Sequence, residues 1–284
     1  MSAKLRASAV EALYSIDANE VDVAVAMAIK TKSPLLRSAA VRVLAKRNAE
    51  SKELLPALTK AINGTNLREQ QNALDVLGSL KSKETITLLE MQTQQLINGT
   101  ASPLLQLDIL EAAKANKAGK LAKMTLDYEA SRAESALVDR FPELLDGGDA
   151  MVGESIFRTS YTAQCIRCHK LGQVGGDVGP SLNGVASRLD ERAMLESLID
   201  PQAKIADGYG LTTFTMKNGE IFTGSIEKKS ANFFSIKDQS GARILIKTAD
   251  IKSSSKSVSS MPPMMGILAP RDLRDLVAYM KTLK

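Results

Sequence analysis

Tryptophan is absent, histidine occurs once, cysteine twice, and aromatic side chains make up 4% of the 284 residues. With so few large rings, a core must be built from Ala, Leu, Val and Ile on helices, or must take its bulk from something that is not an amino acid. Two cysteines exclude a disulfide-dense scaffold, and two thiols plus one imidazole fall short of the four ligands of a zinc finger or ribbon. The longest uninterrupted apolar run, 23–29, is seven residues, far below the roughly 20 needed by a membrane-spanning helix. No block of Lys or Arg exceeds two residues and the net charge of +5 is mild, so no nucleic-acid footprint is predicted. What remains, 44% apolar and 24% charged, is ordinary globular composition.

Over 1–146 the pattern is helical and it repeats. Ala9-Val10-Glu11-Ala12-Leu13, Ala40-Val41-Arg42-Val43-Leu44 and Ala73-Leu74-Asp75-Val76-Leu77 share one small-apolar pattern at spacings of 31 and 33 residues, with a weaker fourth copy around 107–110. Second helices are predicted between the copies, at 20–30 and 52–62, followed by breakers at Ser33-Pro34, Asn63-Gly64 and Asn98-Gly99. Two helices in each repeat of just over about 30 residues is the pattern of an α-solenoid, whose neighbours bury each other's apolar faces. The segment resembles short HEAT repeats, with Arg6 and Arg37 expected to open two of the second helices. A non-repetitive helical bundle carries similar Ala and Leu periodicity, and under either reading the segment is a scaffold without chemistry.

The domain boundary is predicted at 146/147, where Asp146-Gly147-Gly148-Asp149 reads as a hinge. Aromatics change across it, from three in 1–146 to eight in 147–284. The second domain is expected to hold a short helix at 150–160 and a helix at 190–199. Between 211 and about 252 the period shifts from helical to alternating, giving an antiparallel sheet of about four strands with Asn218-Gly219 as a hairpin turn. A polar loop at 253–260 and a closing amphipathic helix at 272–283 complete it. The predicted fold class is therefore mainly α with a small antiparallel β insertion.

All the cysteine and histidine of the chain lies in five positions, Cys165-Ile166-Arg167-Cys168-His169. Cys-x-x-Cys-His is the attachment sequence of c-type haem. Two thiols three positions apart in a helical turn can each add to one vinyl group of a porphyrin, and the adjacent imidazole can reach the iron. A thioredoxin-like redox pair would need a βαβ setting that these residues lack, and a zinc site would lack a fourth ligand. With one histidine, bis-histidine ligation within the chain is excluded, leaving Met, Lys, Tyr or an open position on the other side of the iron. Three methionines cluster before the last helix, in Ser260-Met261-Pro262-Pro263-Met264-Met265-Gly266. Met261, stiffened by the prolines after it, is the expected ligand, with Met264 and then Met265 as alternatives that double as core fillers.

These motifs, together with Gly153 and Phe157, Val178-Gly179-Pro180-Ser181-Leu182 and Asp272-Leu273-Arg274-Asp275-Leu276-Val277-Ala278-Tyr279, resemble a class I cytochrome c. The match is closest to the haem-binding domain at the C-terminus of large planctomycete and verrucomicrobial dehydrogenase-like proteins, and it covers 147–284. The resemblance implies thioethers at Cys165 and Cys168, His169 as proximal and Met261 as distal iron ligand, and Pro180, Leu182 and Tyr279 in the haem-binding site. It also implies that the Pro180 carbonyl receives the His169 Nδ1–H, and that Gly153 and Phe157 cross Leu276 and Tyr279. About 40 residues of predicted sheet depart from the minimal class I pattern.

The expected function is one-electron transfer by a single covalently attached haem c with His/Met ligation, accepting electrons from a dehydrogenase partner or an upstream domain. The family's dehydrogenase domain has no counterpart in these residues, so an electron carrier and not an enzyme is expected. The alternatives are a haem-based ligand-binding or sensor module, and a HEAT interaction scaffold with a structural haem. Covalent haem attachment in bacteria takes place outside the cytoplasmic membrane, so a periplasmic or other extracytoplasmic location is expected. The N-terminus lacks the stages of a secretory signal, and the chain on that reading is a fragment.

Overall fold

Helix starts are marked by side chains that take up otherwise unpaired backbone N–H groups. Ser2 accepts from the Leu5 N–H, Asn66 from Glu69, Ser82 from Thr85 and Asp190 from Ala193, while Pro34 opens its helix at the first position. The computed structural model describes residues 2–48, 50–238 and 240–284. About 52% of the residues are helical, so the chain is mainly α, and its contacts divide it into two compact units, Met1–Ser135 and Ala136–Lys284.

Among the described residues the first unit contains four helix pairs: α1 (Ala3–Ser15) with α2 (Val21–Ile29), α3 (Pro34–Arg47) with α4 (Leu54–Ile62), α5 (Leu67–Ser79) with α6 (Lys83–Ile97), and α7 (Gln106–Asn116) with α8 (Gly119–Ala130). The odd-numbered helices stack in sequence order, α1 on α3, α3 on α5 and α5 on α7. They carry the repeated Ala/Val/Leu pattern, which supplies buried Val10, Ala40, Val43, Ala73, Leu74 and Leu77. Small residues permit close stacking. A Cβ on Gly78 would stand 2.8 Å from the Ala112 Cα. Arg6 and Arg37 lie on α1 and α3, the helices that carry the pattern, and not on the second helices of their pairs.

Polar contacts recur at the repeat interval. Arg42 reaches back to Glu11 and forward to Asn72, and Arg37 forks onto both oxygens of Glu69 at 2.6 and 2.5 Å. Glu69 is buried at 6% exposure, so removing its guanidinium leaves a carboxylate without its strongest partner. Arg37→Ala is expected to lower the stability of this unit by about 2 kcal/mol, read by chemical denaturation.

The second unit begins at Ala136, eleven residues before the Gly-Gly boundary predicted from sequence. Two 3-10 turns, Leu137–Arg140 and Pro142–Leu144, bury Val138 and Leu144. Asp139 forms a two-pronged pair with Arg192 at 2.8 and 2.9 Å. Gly148 is no hinge: its backbone lies so close to the last helix that a Cβ would stand 2.5 Å from the Arg274 carbonyl oxygen. Among the described residues of this unit follow the helices α9 (Ala150–Thr159), α10 (Cys165–Cys168), α11 (Glu191–Ile199) and α12 (Pro270–Met280). Here α9 and α12 cross where Gly153 would place a Cβ 2.0 Å from the Asp275 carbonyl oxygen. Beside the crossing, the Phe157 and Tyr279 rings pack 5.9 Å apart, centre to centre, and the Asp275 carboxylate accepts the Asp149 N–H at 2.7 Å.

Between α11 and α12 lies an antiparallel sheet of six strands: β1 (Gly210–Met216), β2 (Ile221–Lys229), β3 (Phe233–Lys237), β4 (Arg243–Lys247), β5 (Ile251–Ser254) and β6 (Val258–Ser259). The order is β4-β3-β2-β1-β5, and β6 also pairs with β1. One face packs Phe214, Met216, Ile236 and Ile246. Part of the segment predicted as a polar loop, 253–260, is thus strand. Its Ser and Lys side chains other than Ser259 are exposed, and it is held by main-chain pairing to β1, which leaves no trace in hydrophobic alternation. Among the described residues no helix is long and apolar enough to cross a membrane.

Candidate functional site

A sharp turn creates the site. Gln164 adopts a left-handed backbone (φ 49°), and the chain then winds through the single turn α10, closed by the His169 N–H donating to the Cys165 carbonyl at 2.9 Å. Cys165 is half-buried and Cys168 exposed, and both thiols are free. Burial pushes the Cys165 thiol above its ordinary pKa. A redox-active cysteine pair has the opposite requirement, a thiol pulled down towards thiolate.

The glycine-rich loop that follows folds back over this turn. The Gly176 N–H donates to the Ile166 carbonyl and the Gly179 N–H to the Cys168 carbonyl. A Cβ on Gly176 would stand 1.9 Å from the Arg167 carbonyl oxygen, and one on Gly179 2.5 Å from His169 Cε1. Only glycine lets the main chain lie flat against the turn and the imidazole. Pro180 comes next, and its carbonyl oxygen stands 2.8 Å from His169 Nδ1. Since a carbonyl can only accept, Nδ1 carries the proton and the lone pair is on Nε2. Leu182, whose N–H donates to the Lys170 carbonyl, and Arg188, whose guanidinium bonds the Ser181 and Asn183 carbonyls, hold the far end of the loop.

Cys165, Cys168, His169 and Pro180 are thus one local cluster. Tyr279 stands on α12, buried beside Phe157, and burial raises its phenol pKa, with the Glu154 carboxylate adding to the rise and Arg158 opposing it. Met261 follows β6 on a separate loop and is half-buried, with its N–H bonded to Ser259 Oγ at 3.2 Å. Two anchors fix this loop: the Gln202 amide exchanges two hydrogen bonds with the Ser259 main chain, and the Met264 N–H donates to the Leu198 carbonyl at the end of α11 at 2.8 Å. Met264 is 4% exposed and fills core; Met265 is half-buried. Sequence reasoning missed Gln202, whose role depends on a partner 57 positions away and leaves no local signal.

It also missed the contact between loop and sheet. Asp177, on the glycine-rich loop, pairs with Lys237 of β3 at 3.0 Å. The hydrogen-bonded Lys237 ammonium holds the Asp177 carboxyl below the usual range. Arg192 does the same to Asp139 and Arg243 to Glu227. Each lowered carboxyl contributes stability that is present above its ordinary pKa and lost as pH falls through the folded value. Thermal melts of the second unit are therefore expected to be level from about pH 7 to 5 and to fall below about pH 4.

Among the described residues, no group of three or more His, Cys, Asp and Glu side chains is arranged to hold a metal ion. What the cluster offers is one imidazole nitrogen as a ligand and two thiols for covalent bonds. Compared with known proteins, the chain matches no family model and no curated protein.

Proposed function

We propose that the chain is an electron-transfer protein for one c-type haem, which Cys165 and Cys168 would hold covalently and whose iron His169 and Met261 would ligate. The observation that carries this reading is the hydrogen bond from His169 Nδ1 to the Pro180 carbonyl, which fixes the tautomer with Nε2 free to ligate. The donor set fits such a group: two unpaired thiols on one helical turn, an oriented imidazole, and a glycine backbone in place of side chains against it. Tyr161, Val174 and Val178 lie exposed on the same loops. A bound haem would supply an iron that gains and loses one electron.

The chain's own residues do the rest. Pro180 holds the imidazole ring, Gly179 keeps the ring in place from one side, and the Gln202 and Leu198 contacts stiffen the methionine loop. On this reading the second unit has the class I cytochrome c fold, and the first is a HEAT-like solenoid, supported by the contacts of Arg42 with residues 31 before and 30 after it. The partner is a dehydrogenase or another redox protein, and the location is extracytoplasmic, where haem is attached.

Co-expression with cytochrome maturation factors and export is expected to give a chain heavier by one haem with a c-type α-band on reduction. Haem-free protein under those conditions sinks the proposal. In the oxidised protein, the weak sulfur-to-iron band in the red is expected to vanish in Met261→Ala and to survive in Met264→Ala. Met264→Ala is instead expected to destabilise the second unit by about 2 kcal/mol or more as a core truncation. The reverse spectral result reassigns the ligand to Met264.

A further inference from the structure

The six-stranded sheet has one face in the core and one face in water. Residues 210–259 hold eight Lys and Arg against four Asp and Glu, which places +4 of the chain's +5 on this segment. Register places four of those eight cations on the outer face, while Lys229, opposite Phe234, lies on the core-facing side. Ser225, Lys237 and Arg243 form one row across β2, β3 and β4, Lys228, Ser235 and Leu245 the next, and Phe233 and Lys247 a third. Directly paired and alternate residues share a face, so these side chains lie together, opposite the face that buries Ile236 and Ile246.

The face has the anatomy of an interface. Leu245, on the edge strand β4, is 67% exposed, and Phe233, Leu245 and Lys247 line an open groove of about 490 Å³. Cations flank this apolar pair, as in a protein contact that sets charge around apolar surface. Arg243 is paired with Glu227 and Lys237 with Asp177, while Lys228 and Lys247 form no salt bridge among the described residues. Nucleic-acid and lipid-headgroup binding draws its affinity chiefly from the cations themselves, whereas exposed apolar side chains beside partly neutralised cations favour a protein. The Lys237–Asp177 pair also joins this face to the loop that packs on His169.

We propose that the outer face of this sheet is a docking surface for an acidic protein, received by Lys228 and Lys247 beside the exposed Leu245 and Phe233. That the docked protein exchanges electrons with the site around His169 rests on the function proposed above, and the position of Asp177 between sheet and site gives the insertion that purpose.

The test uses the full chain and a fluorescein-labelled eicosaglutamate peptide, followed by anisotropy at low ionic strength. Lys228→Glu/Lys247→Glu is expected to weaken binding by about tenfold. Lys52→Glu/Lys83→Glu, the same charge change on exposed positions of the first unit, is expected to weaken it by less than about twofold. Equal weakening by both variants, or by neither, overturns the proposal. So does tighter binding of phosphatidylglycerol vesicles or single-stranded DNA than of the acidic peptide by the unaltered chain. The readout does not need haem: a chain exported with cytochrome maturation factors that lacks a c-type spectrum yet still shows the difference between variants overturns the electron-transfer reading and leaves the docking surface standing.

Discussion

Gly153→Ala is expected to destabilise the second unit although alanine is the better helix former. Inside an ordinary helix this exchange gains about 1 kcal/mol. Here the new Cβ would stand 2.0 Å from the Asp275 carbonyl oxygen, 2.5 Å from its carbon and 2.8 Å from the Tyr279 Cβ. The first two are backbone atoms of α12, so no side-chain rotation relieves the clash and the helices must part. Separation strains the Phe157–Tyr279 packing and the Asp149–Asp275 hydrogen bond together. Overpacking of this kind costs about 3 kcal/mol, enough to reverse the propensity gain, and Gly153→Val goes further in the same direction. In calorimetry, the transition of the second unit is expected to fall by about 5–10 °C for a net loss near 2 kcal/mol, with the transition of the first unit unmoved. Ser155→Ala, exposed on the same helix, is expected to shift neither transition by more than about 2 °C. A Gly153→Ala protein as stable as the parent would show that α9 and α12 do not cross at this point.

The same crossing shows what a sequence can and cannot disclose. Helices announce themselves through local chemistry: Asp190, Ser82 and Asn66 sit at starts, and the Ala/Val/Leu pattern returns on α1, α3 and α5 because each must stack on its neighbour. The local cluster was equally legible, since Cys165, Cys168 and His169 are adjacent in the chain, and the contact of His169 with Pro180 spans eleven positions. Gly147-Gly148 misled, because glycine serves flexible hinges and close packing alike, and only the approach of Arg274 distinguishes the two. The strands β5 and β6 were hidden for a different reason. Their Ser and Lys side chains meet water, and pairing with β1 is made by the main chain, so the alternation that revealed Phe214 and Ile236 has no equivalent there. The Asp177–Lys237 pair, 60 positions apart, depends on how the sheet folds over the loop, which neither residue's surroundings encode.

Gly179→Val is expected to uncouple covalent attachment from ligation. The valine Cβ would stand 2.5 Å from His169 Cε1, 2.8 Å from Nδ1 and 3.0 Å from Nε2, contacts that a ring cannot tolerate without turning. Turning takes Nδ1 away from the Pro180 carbonyl, now at 2.8 Å, and redirects Nε2. The thiols of Cys165 and Cys168 meet no such clash, because the Gly179 main chain touches the cysteine turn through its N–H, bonded to the Cys168 carbonyl. Haem-free protein is expected to lose about 3 kcal/mol in the second unit, the sum of overpacking and one hydrogen bond, and nitrogen NMR of His169 is expected to show the Nδ1–H tautomer no longer favoured. Under the proposed function, the exported variant keeps its covalent haem by mass while its spectrum departs from the low-spin His/Met form. Gln173→Ala, exposed on the same loop, is expected to change neither readout. A Gly179→Val protein with an unaltered His169 tautomer and an unaltered spectrum would mean that the imidazole is not held against this backbone, and the role assigned to Pro180 would fall with it.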